Sequence, residues 1–266
     1  MFSPKQGEDL IRQFKDRHYL TSGTQGLDRI LGGNGFESQT VYELYGPEGA
    51  GKSTLLHQLI CTASLPLKKG GLGAGSIYID TEGTFSIRKV QQIASRFGID
   101  PAEIARKVVR LTPPISKALV YVCKYLLDRV VGEVNARLFL LDSLATQFRA
   151  EYGTDPDTLP ERQQNANQVI QALKRMAQIT NGVAVLTNHE TVDLSGYGKP
   201  KKHALGYIVG HASQVRITVQ PTPDHPTARV FTIEKAPDLA QESCFLDITP
   251  KGFKDLNAKE SSKDNE

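Results

Sequence analysis

Apolar residues along this chain recur in two periods. Short runs rich in β-branched, aromatic and leucine side chains have the length and composition of buried strands: Thr40-Val-Tyr-Glu-Leu-Tyr45, Ile77-Tyr-Ile79, Val108-Val109 with Leu111, Leu138-Phe-Leu-Leu141 and Val183-Ala-Val-Leu186. Between them lie stretches whose apolar residues fall three and four apart. The clearest covers 86–97, where Ile87, Val90, Ile93, Ala94 and Phe97 share one helical face. Further helices are predicted over 53–65, 116–131 and 159–181, the last closed by Asn181-Gly182. Pro66 and the run Lys68-Lys-Gly-Gly-Leu-Gly-Ala-Gly75 end the first of these in a loop. Regular strand–helix alternation predicts an α/β fold, a mainly parallel twisted sheet flanked by helices.

From about residue 213 the helical period stops. Residues 215–219, 228–233 and 244–248 predict three short antiparallel strands that extend the same sheet. At the other end, residues 8–17 predict a short charged helix, and 257–266 have the Lys-, Glu-, Ser- and Asp-rich composition of a disordered tail. With no internal repeat and no second domain, the expected organisation is a linker with a short helix over 1–20, a core over 21–256 and a tail over 257–266.

Composition narrows the class without naming it. A hydrophobic content of 39% and a charged content of 23% in 266 residues suit a globular protein with a sizeable core. No apolar run approaches the roughly 20 residues that span a bilayer, and the charged first fifteen residues do not form a secretory signal, so no membrane partner and a cytoplasmic location are expected. Cys61, Cys123 and Cys244 are widely spaced and odd in number, which predicts buried thiols, not a disulfide or zinc framework. A net charge of +3 neither demands nor excludes nucleic acid. The positive charge of interest is local: Gly198-Lys-Pro-Lys-Lys-His203 is a compact basic run.

Candidate chemistry begins at Gly46-Pro47-Glu48-Gly49-Ala50-Gly51-Lys52-Ser53, followed by Thr54, between a predicted strand and a predicted helix. Glycines at these spacings turn successive N–H groups toward phosphate oxygens, and the helix N-terminus adds a favourable dipole. Lys52 is placed to reach β- and γ-phosphates, and Ser53 to offer a hydroxyl to Mg2+. A hydrolase of this kind also needs a carboxylate for the metal and a group that orients water. Asp142 ends an apolar strand and suits the first role. Glu82, in Ile79-Asp-Thr-Glu-Gly-Thr-Phe85, suits the second, with Asp80 as a rival that spacing does not exclude.

An ordered set of further motifs makes the chain specific. Thr21-Ser-Gly, Leu27-Asp-Arg-Ile-Leu-Gly-Gly and Leu65-Pro-Leu-Lys-Lys-Gly-Gly are followed by Tyr78-Ile-Asp-Thr-Glu-Gly-Thr-Phe, Leu141-Asp-Ser-Leu and Phe148-Arg-Ala-Glu-Tyr. Glu161-Arg-Gln-Gln, Leu186-Thr-Asn-His and Gly210-His-Ala-Ser complete the set. The combination resembles the RecA-like recombinase family, in particular the ATPase core of archaeal RadA and its eukaryotic strand-exchange counterparts, over residues 20–255. The resemblance implies ATP and Mg2+ as cofactors, Glu82 as the catalytic glutamate, and Asp142 as the metal-side aspartate. It also implies Lys69 beside the adenine, and Pro237 and His211 acting on ATP held by a neighbouring subunit in a filament or ring.

The family's two DNA-contacting loops fall near 149–160 and 190–208. Arg149, Tyr152, Lys199, Lys201, Lys202 and His203 are the implied contacts to single-stranded DNA, with Tyr197 and Tyr207 placed to stack or to pack. Several positions depart from the family pattern. Asp155 stands where relatives carry an arginine, His189 replaces the glutamine after Thr-Asn, and Phe2-Ser-Pro-Lys5 does not complete the Phe-x-x-Ala oligomerisation motif. The family's N-terminal helical domain is not expected, which suggests a truncated core or a core-only paralogue in the manner of archaeal RadB. The function implied is that of an ATP-dependent recombinase in homologous recombination and DNA repair, nucleoid-associated in a prokaryote or archaeon. Its alternatives are a mediator that binds ATP and another recombinase, and a regulatory ATPase unrelated to DNA.

Overall fold

Each apolar run becomes a strand of one large sheet. A computed structural model describes residues 15–152, 158–191, 202–203 and 212–256. In chain order, β1 (Tyr19–Leu20) precedes α1 (Gln25–Ile30) and pairs with β2 (Phe36–Glu37) in a small antiparallel ribbon. β3 (Thr40–Gly46) leads through the Gly-rich turn into α2 (Lys52–Ser64), and β4 (Gly75–Asp80) is followed by α3 (Ile87–Arg96) and α4 (Pro101–Arg106). Next come β5 (Val108–Leu111), α5 (Ser116–Tyr121), a π-helical turn over Val122–Leu126, α6 (Leu127–Val130) and β6 (Ala136–Asp142). α7 (Ala145–Tyr152), α8 (Leu159–Ile179), β7 (Val183–Thr191) and β8 (Lys202–His203) precede the last strands, β9 (Val215–Thr222), β10 (His225–Lys235), β11 (Ser243–Thr249) and β12 (Gly252–Asp255).

The sheet has the order β12-β11-β10-β9-β3-β7-β6-β4-β5, with β8 paired to the end of β7. From β9 to β5 every neighbouring pair is parallel; from β9 to β12 every pair is antiparallel. Both faces are covered, as parallel strands require. Tyr42, Leu44, Tyr78, Leu138, Leu140, Val183 and Val185 pack toward α2 and α3, whereas Val41, Ile77, Ile79, Phe139, Leu141, Ala184 and Leu186 pack toward the helices of 116–179. α2 is enclosed on nearly all sides, with Leu55, Leu56, Leu59, Ile60, Cys61 and Ala63 buried, so it has no polar face to read as amphipathic. Its Gln58 is buried too, donating to Ser22 O at 2.6 Å and accepting from Phe253 N at 2.7 Å.

One carboxylate lies inside the sheet. Glu43 of β3, fully buried, accepts hydrogen bonds from Asn188 Nδ2 at 2.9 Å, Ser213 Oγ at 3.0 Å and Arg216 Nε at 3.0 Å. The Arg216 guanidinium also lies 5.6 Å from the Tyr45 ring centroid, and Lys235 Nζ donates to Ser213 O at 3.0 Å. The cluster joins β3, β7, β9 and β10 immediately below the Gly-rich turn.

Several expectations change. The three C-terminal strands are antiparallel to one another as expected; β9 joins the rest of the sheet parallel to β3, with Tyr42 opposite Val215, and a fourth strand, β12, follows. A period-2 pattern marks a strand but not its direction, and the stretch 192–214 is long enough for the crossover that a parallel pair needs. The helix expected over 116–131 has a π turn at its middle, beside which Tyr121 and Tyr125 pair on the surface with ring centroids 5.5 Å apart. α4 and α7 were not expected. α4 bears an ordinary start signal: Asp100 caps Ala102 N at 2.9 Å and Pro101 occupies the first turn. Leu20, inside the expected linker, is fully buried and belongs to β1. All three cysteines are buried and free, with thiols pushed up to about 12 by burial. Among the described residues no helix is long and apolar enough to cross a membrane.

Candidate functional site

Parallel strands deliver their C-terminal ends to one edge, and the candidate residues lie along it. Gly46 at the end of β3 is in register with His189 of β7, and Asp80 at the end of β4 with Asp142 of β6. Above this edge is a cleft of about 290 Å³, lined by Glu48, Gly49, Gly51, Lys52, Ser53, Thr54, Glu82, Thr84, Asp142, His189 and Ile248. The chain enters α2 through Gly51 in the left-handed region, φ 96°. A Cβ there would also stand 2.7 Å from Phe253 and 2.9 Å from Ile248, so both backbone and packing require glycine at this turn. Lys52 is buried, and its Nζ donates to Gly46 O at 2.9 Å and Pro47 O at 2.8 Å, bracing the loop from within. Burial lowers its pKa against the opposing pull of Asp142 and Glu82.

Asp142 is almost fully buried and firmly oriented. Tyr78 Oη donates to its Oδ2 at 2.6 Å, Thr84 Oγ1 lies 3.5 Å from the same oxygen, and Thr187 donates to Oδ1. Burial raises the Tyr78 pKa far above the usual phenol range, so its proton stays available to Asp142. The His57 ring stacks on Tyr78 at 5.6 Å and is kept neutral by burial, its pKa lowered to about 4. Its Nε2 accepts from Ser86 N at 3.3 Å, which fixes the tautomer with the proton on Nδ1.

The two rival acids have different surroundings. Asp80 is buried, and its carboxylate caps the loop after β4. It accepts from the backbone N–H of Glu82 at 3.2 Å, Gly83 at 2.7 Å, Thr84 at 3.2 Å and Phe85 at 3.2 Å, and from Arg110 at 3.0 and 2.6 Å. It shapes the loop and does not line the cleft. Glu82 does line it, with its side chain 20% exposed. Its Oε1 accepts from Thr146 Oγ1 at 2.9 Å and His189 Nε2 at 2.6 Å. The hydrogen bond from His189 is the largest cause holding the Glu82 carboxyl down to about 2, against the opposing effect of burial. Sequence reasoning gave no role to Tyr78 and Thr84, which stand in the same motif as Glu82, and it missed Arg110, Thr146 and Thr187, which reach the site from β5, α7 and β7.

Other predicted residues fall elsewhere. Lys69 belongs to a turn at the far end of α2, and the 13 residues of that helix separate it from the Gly-rich turn by roughly 20 Å at the α-helical rise. Pro237 borders a second hollow of about 330 Å³ with Tyr19, Thr40, Tyr42 and Gln214, at the opposite edge of the sheet. The seven residues of β3 put roughly 20 Å of strand between the two hollows. Arg149 is exposed but lies on α7, not on a loop as expected. Tyr152 packs against the core, donates to Glu161 Oε1 at 3.1 Å and accepts from Asn165 Nδ2 at 3.3 Å, which commits its ring to packing. Lys202 and His203 form β8, paired with Thr191 and Glu190. Asp155, Tyr197, Lys199, Lys201, Tyr207 and His211 lie outside the described residues, as do Phe2 and Lys5.

The donor set suits a hard divalent cation held jointly with phosphate. Ser53 and Asp142 offer oxygen alone, as Mg2+ prefers. Among the described residues no group of three or more His, Cys, Asp or Glu is arranged to hold a metal by itself. Lys52 shares the cleft with Glu48, Glu82 and Asp142, so a cation entering with a polyanion would offset repulsion from these carboxylates.

Sheet order, the Gly-rich turn between β3 and α2, and the antiparallel extension define the class: a RecA-like P-loop α/β core. A family model described as Rad51 matches residues 14–256, and the chain belongs to that family. Among curated proteins it is similar to the DNA repair and recombination protein RadA of Aeropyrum pernix, 34% identical over 253 residues that cover 94% of this chain and 77% of the relative. The proteins of the same name from Ignicoccus hospitalis and Metallosphaera sedula are 32% and 31% identical, each match covering 89% of this chain and 72% of the relative.

Proposed function

We propose that this protein is an ATP-dependent, DNA-binding recombinase-family ATPase acting in homologous recombination and DNA repair, carried by the single unit 21–256. The observation that supports it most is the meeting of Lys52, Ser53, Asp142 and Glu82 in one cleft, from three separate parts of the chain. Lys52 and the N–H groups at the start of α2 bind the β- and γ-phosphates. Ser53, and Asp142 held by Tyr78 and Thr187, position the metal. Bound Mg2+ supplies neutralisation of charge on the transferred phosphoryl group. Glu82 orients the attacking water and takes its proton. The proposed cofactors are thus ATP and Mg2+, and the proposed location is the cytoplasm, on the nucleoid.

The placement of Pro237 supports assembly into a filament or ring. Pro237 lies at the sheet edge remote from its own P-loop, so a role for it over ATP requires a second copy stacked head to tail. Lys199, Lys201 and Lys202 are the proposed DNA-phosphate contacts, together with Arg149 and His203. Phosphate release from ATP, measured with and without single-stranded DNA, is the test. Turnover stimulated by DNA, with binding that weakens as salt rises, is expected. No turnover, or turnover blind to DNA with no low-salt binding, sinks the reading. Electron microscopy with an ATP analogue and single-stranded DNA separates the neighbouring reading: helical filaments mark a recombinase, whereas small discrete complexes that capture another recombinase mark a mediator.

A further inference from the structure

His189 is placed with unusual constraint. Its backbone is in register with Gly46, where the phosphate loop begins, and its N–H donates to Asn188 Oδ1 at 2.9 Å. Asn188 in turn donates to the buried Glu43. The strand therefore holds the imidazole between the phosphate loop and the loop after β4, independently of what the ring touches. What it touches is Glu82 Oε1, at 2.6 Å, where the Thr146 hydroxyl also arrives at 2.9 Å. Two donors of fixed origin, one from β7 and one from α7, thus meet on a single oxygen of a flexible carboxylate. A carboxylate gripped at one oxygen has one orientation, and the direction of the other oxygen follows from it.

Resting on the reading of Glu82 as the group that orients water, we propose that His189 is a positioning residue for hydrolysis: with Thr146 it grips Glu82 Oε1 and so aims Oε2 at the attacking water. Nε2 bears the proton in this contact, because a carboxylate can only accept. The other charged groups lining the same cleft are Glu48, Lys52 and Asp142, with Glu190 next along the strand. None of them appears among the donors to Glu82; the hydrogen bond from His189 is the main cause of its depressed pKa. An amide can make the same donation as the imidazole, whereas an aliphatic side chain cannot.

The test uses His189→Ala, His189→Leu and His189→Gln in the whole protein. Loss of aim lowers kcat by roughly tenfold to a hundredfold in the Ala and Leu variants, with KM for ATP unchanged because ground-state binding is untouched. His189→Gln restores most of the loss. A second readout needs no turnover. With Glu side-chain carboxyls labelled with 13C, the Glu82 signal is the one missing in Glu82→Gln. At pH 4 without nucleotide it reports the charged form in wild type, and shifts toward the protonated form in His189→Ala. Equal loss of kcat in all three variants with an unmoved Glu82 signal would mean a merely structural residue and overturns the proposal, as does wild-type turnover in His189→Ala. A wild-type protein that hydrolyses no ATP refutes the enzyme reading instead, and the carboxyl signal still decides the His189–Glu82 contact.

Discussion

Replacing Glu43 by Gln tests whether the buried cluster below the P-loop behaves as an ion pair. The substitution keeps the shape but only one acceptor oxygen: in the native protein Asn188 Nδ2 donates to Oε1 at 2.9 Å and Ser213 Oγ to Oε2 at 3.0 Å, so the amide satisfies one of these donors and turns its NH2 toward the other. It removes the charge opposite Arg216, whose Nε lies 3.0 Å away and whose side chain is only 10% exposed. Removing one member of a buried pair costs about 3–5 kcal/mol, because the other charge stays in a poorly solvated place. For a domain of this size, one kcal/mol moves Tm by about 2–4 °C, so a fall of roughly 6–20 °C is expected. Urea unfolding followed by circular dichroism gives the free energy, and an unchanged m-value shows that the native fold persists. The decisive comparison is Glu43→Gln combined with Arg216→Met. With no stranded charge, the double variant should be more stable than Glu43→Gln alone, a coupling that additive single losses do not produce. A loss under about 1 kcal/mol in Glu43→Gln, or a double variant less stable than the single, refutes this account of the cluster.

Three further outcomes are expected. Glu82→Gln should bind ATP as wild type does while phosphate release falls by about 10²–10⁴; wild-type turnover would remove Glu82 from its assigned role. Tyr78→Phe leaves Asp142 without its 2.6 Å donor, and the Mg2+ concentration needed for nucleotide binding should rise by about tenfold or more, read in a metal titration with a fluorescent ATP analogue. His57, its pKa lowered to about 4 by burial, accepts a proton more readily unfolded than folded. Stability should therefore be lost as pH falls from about 6.5 toward about 4, by up to about 3 kcal/mol. His57→Leu should flatten that part of the stability curve, and a curve of unchanged slope would contradict the burial argument.

The parts of this molecule legible in its sequence are those with local causes. Apolar runs such as Leu138–Leu141 mark buried strands because a two-sided sheet admits few polar side chains. The Gly46–Ser53 spacing marks an anion cradle because backbone geometry makes it one. What escaped is set by partners distant in the chain. Asp80 and Glu82 are two residues apart and look interchangeable, until Arg110 and four backbone N–H groups take Asp80 for loop shaping. Lys69 was assigned by resemblance alone, and only the length of the helix before it shows how far along the sheet it lies from the Gly-rich turn. Glu43 drew no reading of its own within an apolar strand, since nothing near it announces Arg216, 173 residues away. His189 was visible as a departure from a pattern, but only the register of β7 against β3 shows that its ring faces Glu82.

The P-loop cleft and the hollow beside Pro237 lie at opposite edges of the sheet. When one copy's Pro237 covers another copy's cleft and the same step repeats from copy to copy, the contact is heterologous and builds a chain or a ring. An open chain built this way has polarity: one terminal subunit always offers an uncovered cleft, and the other an unused Pro237. Under the proposed sharing of sites, completed sites would number one fewer than the subunits, and ATP turnover per subunit would climb with chain length toward a plateau. Closing the chain into a ring removes both ends at once.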